Sequence, residues 1–347
     1  MMGGRVTAQH PDKSGTADPP HDGPLLRVEG LVVDLPRPDG AAGDTVRVVD
    51  GVSFDVPAGT TVGLIGESGS GKTMTALSVI GLLPDHATTG GELVWRGKNL
   101  LRPDTDWRRV RGHQISMIFQ DPLAALNPSI TIGRQVGEIL RRAGRPRAEV
   151  RHAVIDLLDR AGVPDPERRM NSYPHEFSGG LRQRAMIALA LAGSPSLLLA
   201  DEPTTALDVT VQARILRLLR SIQREQGLAM LLVTHDLRVV AHVADEVVVM
   251  YAGRVAERGP AGAVLRRPAH PYTRALAASV PAVRTKTALA DPLPGSPATP
   301  ANRPSGCAFH PRCPLARDRC KAEVPQAREV APGRWSACHF AEEVFTP

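Results

Sequence analysis

Val62-Gly63-Leu64-Ile65-Gly66-Glu67-Ser68-Gly69-Ser70-Gly71-Lys72-Thr73 is the stretch from which the rest of the chain is read. An apolar run enters it and a helix-patterned run, Met74 to Leu83, leaves it, so it reads as strand, tight loop, helix. Glycines at 66, 69 and 71 let backbone N–H groups turn inward, which wraps a dense polyanion better than a rigid side-chain pocket can. The helix that follows adds the positive end of its dipole. In this loop pattern Lys72 reaches the β- and γ-phosphates of a bound triphosphate and the Thr73 hydroxyl holds Mg²⁺. Gly66, Glu67, Ser68, Gly69, Ser70, Gly71, Lys72 and Thr73 are therefore the candidate nucleotide contacts. A chance glycine-rich turn would not account for the Lys-Thr pair at the start of a helix that follows a strand.

At 347 residues and 42% apolar, the chain is long enough for one large domain with an appendage and can build an ordinary core. The net charge of +6 is compatible with a nucleic-acid partner. The arginines are interspersed with acids, however, and no basic block carries interleaved aromatics, so no direct nucleic-acid contact is expected. No apolar run approaches the roughly 18 residues of a spanning helix and the N-terminus is polar, which predicts a cytosolic chain that meets a membrane only through a partner.

Residues 1 to about 24, rich in Pro, Gly, Asp and His, lack periodicity and read as a disordered tail. Leu25 to Leu35 and Val46 to Val56 alternate apolar and polar positions around a turn-rich segment, which predicts an antiparallel pair. Thr61 to Ile65, Glu92 to Trp95 and Gln114 to Phe119 read as strands. Between Asp121 and Ser178 the pattern becomes helical, with stretches Ile132 to Arg142 and Ala148 to Ala161 broken by prolines. Helix Gly180 to Ala192 then leads to Leu197-Leu198-Leu199-Ala200-Asp201-Glu202, a continuous apolar run of the kind that forms a fully buried parallel strand. Helix Val209 to Gln226, strand Ala229 to Thr234, a helix from Leu237 and strand Glu246 to Tyr251 continue the alternation. The expected class is α/β, a P-loop cassette with a mainly parallel core sheet, an antiparallel β subdomain and an inserted helical subdomain, plus a small irregular metal-binding C-terminal tail. Gly66, Gln120, Asp201 and His235 all fall at carboxyl ends of strands, where such sheets bind ligands.

Taken together these motifs resemble the ATP-binding subunit of an ABC transporter, over residues 25 to about 260 with a helical subdomain at about 121–178. The discriminating stretch is Ser178-Gly179-Gly180-Leu181-Arg182-Gln183, similar to the family's signature. Ser and Gly ahead of an apolar helix would also serve as a plain cap. The resemblance implies instead that Ser178, Gly179 and Gly180 contact the γ-phosphate of an ATP held by an opposing subunit, two subunits sandwiching two ATP molecules head to tail. It further implies that Asp201 binds Mg²⁺ through water, that Glu202 is the general base, and that Gln120, in Phe119-Gln120-Asp121-Pro122, senses Mg²⁺ and the attacking water. His235, in Thr234-His235-Asp236, is assigned to the γ-phosphate, and Asp208, in Ala206-Leu207-Asp208, to the dimer interface as well as to its own helix cap. One departure is clear: residues 43–49 contain no aromatic to stack on adenine, which leaves Val46 or Arg47 as substitutes.

Leu126-Asn127-Pro128, the run Asp201 to Thr210 and His270-Pro271-Tyr272-Thr273 look like the dipeptide/oligopeptide and nickel importer branch of that family. The resemblance implies peptides first and nickel second as cargo. Its implied partners are a second ATPase subunit, usually a different chain, two transmembrane permease subunits and an extracytoplasmic peptide-binding protein, with the chain peripheral at the cytoplasmic face of the membrane. The competing class is a soluble ABC ATPase acting on nucleic acid or ribosomes, motivated by the positive charge alone.

Residues 261–347 are Pro-, Ala- and Arg-rich and contain all four cysteines, Cys307, Cys313, Cys320 and Cys338. A segment so poor in apolar residues needs a staple, and a metal centre can supply one. Structural Zn²⁺ sites favour cysteine pairs two to four residues apart, which this spacing lacks, whereas four thiolates suit a 4Fe–4S cluster. The spacing is similar to that of the iron–sulfur tail of peptide-importer ATPases, so a 4Fe–4S cluster is expected, with Zn²⁺ held by cysteines and His310 or His339 as the alternative and free thiols as the third reading.

Overall fold

The computed structural model describes residues 23–37, 43–204, 208–279 and 295–345. Residues 1 to 22 of the expected tail and the Ala206-Leu207 part of the interface motif lie outside the described residues. In chain order the strands are β1 (Leu26–Pro36), β2 (Thr45–Val56), β3 (Thr61–Ile65), β4 (Thr88–Trp95), β5 (Lys98–Asn99), β6 (Ile115–Ile118), β7 (Leu197–Asp201), β8 (Ala229–Thr234), β9 (Glu246–Tyr251), β10 (Arg254–Pro260), β11 (Arg328–Ala331) and β12 (Arg334–Ser336). They form two sheets among the described residues. One has the order β2-β1-β4-β5 and is antiparallel. The other runs β11-β12-β10-β9-β3-β8-β7-β6, parallel from β9 to β6 and antiparallel from β9 outward through β10 and β12 to β11.

The parallel strands are the continuous apolar runs of the sequence, and every residue of β3, β7 and β8 is buried. Because neighbours on a strand point to opposite faces, each run feeds two cores. Leu197 and Leu199 of β7, with Leu231 and Val233 of β8, face the antiparallel sheet and helix Lys72–Val79. Leu198, Ala200, Met230 and Leu232 face helices Gly179–Leu191 and Val209–Gln226. Helices Ile132–Arg142 and Arg147–Arg160 close a further core with helix Gly179–Leu191, built on Ile132, Val136, Val154, Leu158, Ala185 and Ala188.

The C-terminal part departs from expectation in two ways. It is not irregular: β12 pairs with β10, and β11 with β12, so the chain end extends the main sheet. It also needs no staple, since Tyr272, Ala308 and Phe309 pack into a common core with Ile65, Val240, Val247 and Val249. The expected 4Fe–4S cluster is overturned, and the zinc alternative with it. Among the described residues no group of three or more His, Cys, Asp or Glu side chains is placed so that it could hold a metal ion. All four cysteines are free and line one cavity of about 10 Å³, closed by Phe309, Leu315 and Phe340. That is the space of about one water molecule. Burial pushes the Cys307 and Cys338 thiols up to about 11, so at neutral pH they are neutral thiols packed into the core.

Candidate functional site

Gly66 and Gly71 make the phosphate loop sterically feasible. At Gly66, with φ of 155°, a Cβ would lie 2.2 Å from the Met250 carbonyl oxygen; at Gly71, with φ of 99°, it would lie 2.8 Å from that of Val48. Gly71 is also the N-cap of helix Lys72–Val79, so the loop turns directly into the helix. Lys72 is folded back into the loop it serves. Its Nζ donates to the Gly66 and Glu67 carbonyls, each at 2.9 Å, and to Ser70 Oγ at 3.3 Å. Burial lowers its pKa, against the attraction of Glu202, Asp201 and Glu67.

Sheet order places β7 two strands from β3, and there the Thr73 hydroxyl meets the Asp201 carboxylate, Oγ1 to Oδ1 at 3.5 Å. Asp201 is 3% exposed, and burial raises its pKa ahead of the lowering effect of the Thr73 hydrogen bond. The next residue leaves the strand abruptly. Glu202 has φ of 45°, a left-handed conformation costing roughly 1–2 kcal/mol for a residue with a side chain, and its N–H donates to the Val233 carbonyl at 2.8 Å. This kink turns its carboxylate toward two neighbouring strand ends. Gln120, after β6, donates from Nε2 to Glu202 Oε2 at 3.2 Å, and His235, after β8, lies with Nδ1 2.9 Å from Glu202 Oε1. Gln120, Glu202 and His235 thus form one hydrogen-bonded row at the carboxyl ends of three adjacent parallel strands. A carboxylate so held can accept a proton from water, and Thr73 with Asp201 offers hard oxygen donors suited to Mg²⁺, which keeps several of its own waters.

The remaining candidates stand apart from this row. Ser178 is the N-cap of helix Gly179–Leu191, yet its side chain makes no capping hydrogen bond. Gly179 has open space where a Cβ would be, and Gly180 allows Val211 to approach to 3.2 Å of that position. Asp208 does cap its helix, accepting from the N–H groups of Thr210 and Val211 at 3.0 Å each. Of the two residues offered for adenine, Arg47 is engaged, its guanidinium pairing with Asp34 at 3.0 and 3.2 Å.

Two loop contacts were not foreseen. Glu67 donates its backbone N–H to the Tyr272 hydroxyl at 2.8 Å, and its carboxylate receives both terminal nitrogens of Arg312 at 2.7 and 3.1 Å. The available signal was Glu67 itself: a carboxylate within a phosphate cradle calls for a cation from elsewhere in the chain.

Comparison with known proteins agrees with this geometry. The ABC transporter family matches residues 49–205, and the oligopeptide/dipeptide transporter C-terminal region matches residues 256–320. The chain is 44% identical to the dipeptide transport ATP-binding protein DppD of Escherichia coli, over 91% of this chain and 96% of that one. It belongs to the dipeptide/oligopeptide ABC transporter ATP-binding protein family. The oligopeptide transport ATP-binding protein OppD of Salmonella typhimurium is 45% identical over 90% of this chain and 93% of its own. Among solved structures, the dimeric ATP-binding cassette MJ0796 in a post-hydrolysis state with ADP and Pi is 26% identical, covers 68% of this chain and 99% of that one, and superposes with a TM-score of 0.60. The fold of this family member is thus the ABC cassette, an ATPase.

Proposed function

We propose that this family member is the ATP-hydrolysing subunit that powers import of dipeptides or oligopeptides through an ABC transporter. The observation that carries the reading is the row Gln120–Glu202–His235 at the strand ends, on the sheet whose β3 opens into the phosphate loop. Glu202 acts as general base toward the attacking water, with His235 orienting it and meeting the γ-phosphate, while Gln120 reports on water and metal. Residues 66–73 cradle the phosphates. Thr73, Asp201 through water, and Gln120 would hold Mg²⁺, which supplies charge neutralisation at the β- and γ-oxygens when bound. Ser178, Gly179 and Gly180 serve the ATP of the opposing subunit, for which the uncommitted Ser178 side chain is suited, and Asp208 lies at that interface.

The unit at 25–260, with its helical subdomain at about 121–178, works with the extension 261–347 as one ATPase. In this reading the chain attaches to the membrane through two permease subunits at its cytoplasmic face; among the described residues no helix is long and apolar enough to cross a membrane. A second ATPase subunit, usually a different chain, and an extracytoplasmic peptide-binding protein complete the importer. Glu202→Gln tests the reading. The variant should bind ATP as the parent does and hydrolyse it roughly 10²–10⁴-fold more slowly in the assembled transporter. Turnover at the parental rate would refute the base assignment.

A further inference from the structure

We propose that Arg312, in the C-terminal extension, is a positioning residue of the phosphate loop: it neutralises Glu67 and holds the loop in the shape that receives a triphosphate. The proposal rests on the ATPase reading and adds to it a part for the extension, which reaches the loop from some 240 residues further along the chain.

The loop is costly to order, because three of its eight positions are glycine. Glu67 is the residue at which it is pinned. Its carbonyl accepts from Lys72 at 2.9 Å, its N–H donates to the buried Tyr272 hydroxyl at 2.8 Å, and its carboxylate takes the two-pronged Arg312 contact at 2.7 and 3.1 Å. Two of these three anchors belong to the extension. Arg312 is itself fixed: its side chain is 5% exposed, its Nη1 also lies 3.4 Å from the Tyr251 hydroxyl, and its guanidinium sits 6.0 Å from the Phe309 ring. Further along the loop, Ser70 accepts from the Gly253 N–H at 3.0 Å, and the turn containing Gly253 is held by Arg303 of the extension, which donates to the Ala252 carbonyl at 2.9 Å and to Asp50 at 2.8 Å.

The charge argument is independent of the ordering argument. Glu67 stands inside the loop itself, its carbonyl 2.9 Å from Lys72 Nζ, so its carboxylate adds negative charge where the phosphates are to be bound. An unpaired carboxylate there repels a polyanion. A bidentate guanidinium removes that repulsion and fixes the carboxylate in the same step. The two arguments make different predictions for a double variant, which is what makes the pair testable. If Arg312 were only a packing element, removing the Glu67 charge in an Arg312 variant would not help nucleotide binding.

The experiment is ATP titration of the full chain, read by fluorescence of a trinitrophenyl-ATP probe and its displacement by ATP, for the parent, Arg312→Ala, Glu67→Gln and the double variant. We expect Arg312→Ala to weaken ATP binding roughly tenfold, and Glu67→Gln to restore most of that loss when added to it, leaving the double variant within about threefold of the parent. Arg312→Gln, which removes the charge but leaves a polar side chain of intermediate size, takes the place of Arg312→Ala if the latter does not fold. Parental affinity in the Arg312 variant, or a double variant binding no better than the Arg312 variant alone, would overturn the proposal and leave the ATPase reading intact. A parental chain that bound no ATP would overturn both.

Discussion

Arg334→Met should detach the C-terminal extension from the main sheet, at a cost that follows from what Arg334 leaves behind. Arg334 is the cationic partner of Glu257, Nη2 to Oε1 at 2.9 Å, with side chains 7% and 0% exposed. Glu257 also accepts from the backbone N–H groups of Ala269 at 2.9 Å and His270 at 3.0 Å, so its carboxylate ties β10 to the start of the extension while Arg334 ties it to β12. Burial raises the Glu257 pKa, opposed by the Ala269 N–H hydrogen bond and by Arg334. Removing the cation strands a buried carboxylate, a defect worth about 3–5 kcal/mol. At roughly 2–3 °C per kcal/mol for a large domain, Tm should fall by about 6–15 °C. The sign with pH is fixed: a carboxyl whose folded pKa lies above its unfolded value costs stability in its charged state, and the cost fades as pH falls through the folded pKa. The deficit of Arg334→Met should therefore be larger at pH 8 than at pH 5, and Glu257→Gln added to it should recover part of the loss at pH 8. Circular dichroism melts of parent and variants at the two pH values would measure this. A Tm within about 2 °C of the parent at pH 8 would refute the reasoning.

Burial holds the His270 pKa at about 4, below the ordinary 6.5, so its contribution is complete above pH 6.5 and is lost as pH falls toward 4. Urea unfolding at pH 7.5 and 5 should show about 2 kcal/mol of this loss, and a His270→Gln variant with the same pH dependence would contradict it. Gly66→Ala puts a Cβ 2.2 Å from the Met250 carbonyl oxygen, so the loop must move and ATP binding should weaken about 10²-fold or more in the same probe titration. Phe309→Ala removes a ring lodged against Tyr251 and Tyr272, with centroids 5.3 and 5.4 Å away, and should cost about 3–5 kcal/mol in urea unfolding; a loss under about 1 kcal/mol would mean that the extension does not share the main core.

The phosphate loop, the antiparallel pair and the parallel strands were legible in the chain because each is encoded locally. Loop residues 66–73 combine glycines with a Lys-Thr pair at a helix start, and strands such as Ala229–Thr234 and Glu246–Tyr251 appear where their apolar runs begin and end. The helices Ile132–Arg142 and Val209–Gln226 follow their amphipathic patterns in the same way. What the sequence could not convey is which remote residues meet. It gave Gln120, Glu202 and His235 as three separate strand ends, whereas their hydrogen-bonded row depends on β6, β7 and β8 being neighbours and on the left-handed turn at Glu202.

The extension was misread for the same reason. Counted alone, residues 261–347 have too few apolar side chains for a core, and a metal seemed necessary. In the fold, Tyr272 and Phe309 borrow the apolar face of β9, and β12 borrows the free edge of β10. Arg312 reaches Glu67 only because that shared core brings the two together. Local pattern fixes backbone conformation and the chemistry of a motif through short-range sterics and hydrogen bonding, while burial and charge pairing between distant segments exist only once the chain has closed on itself.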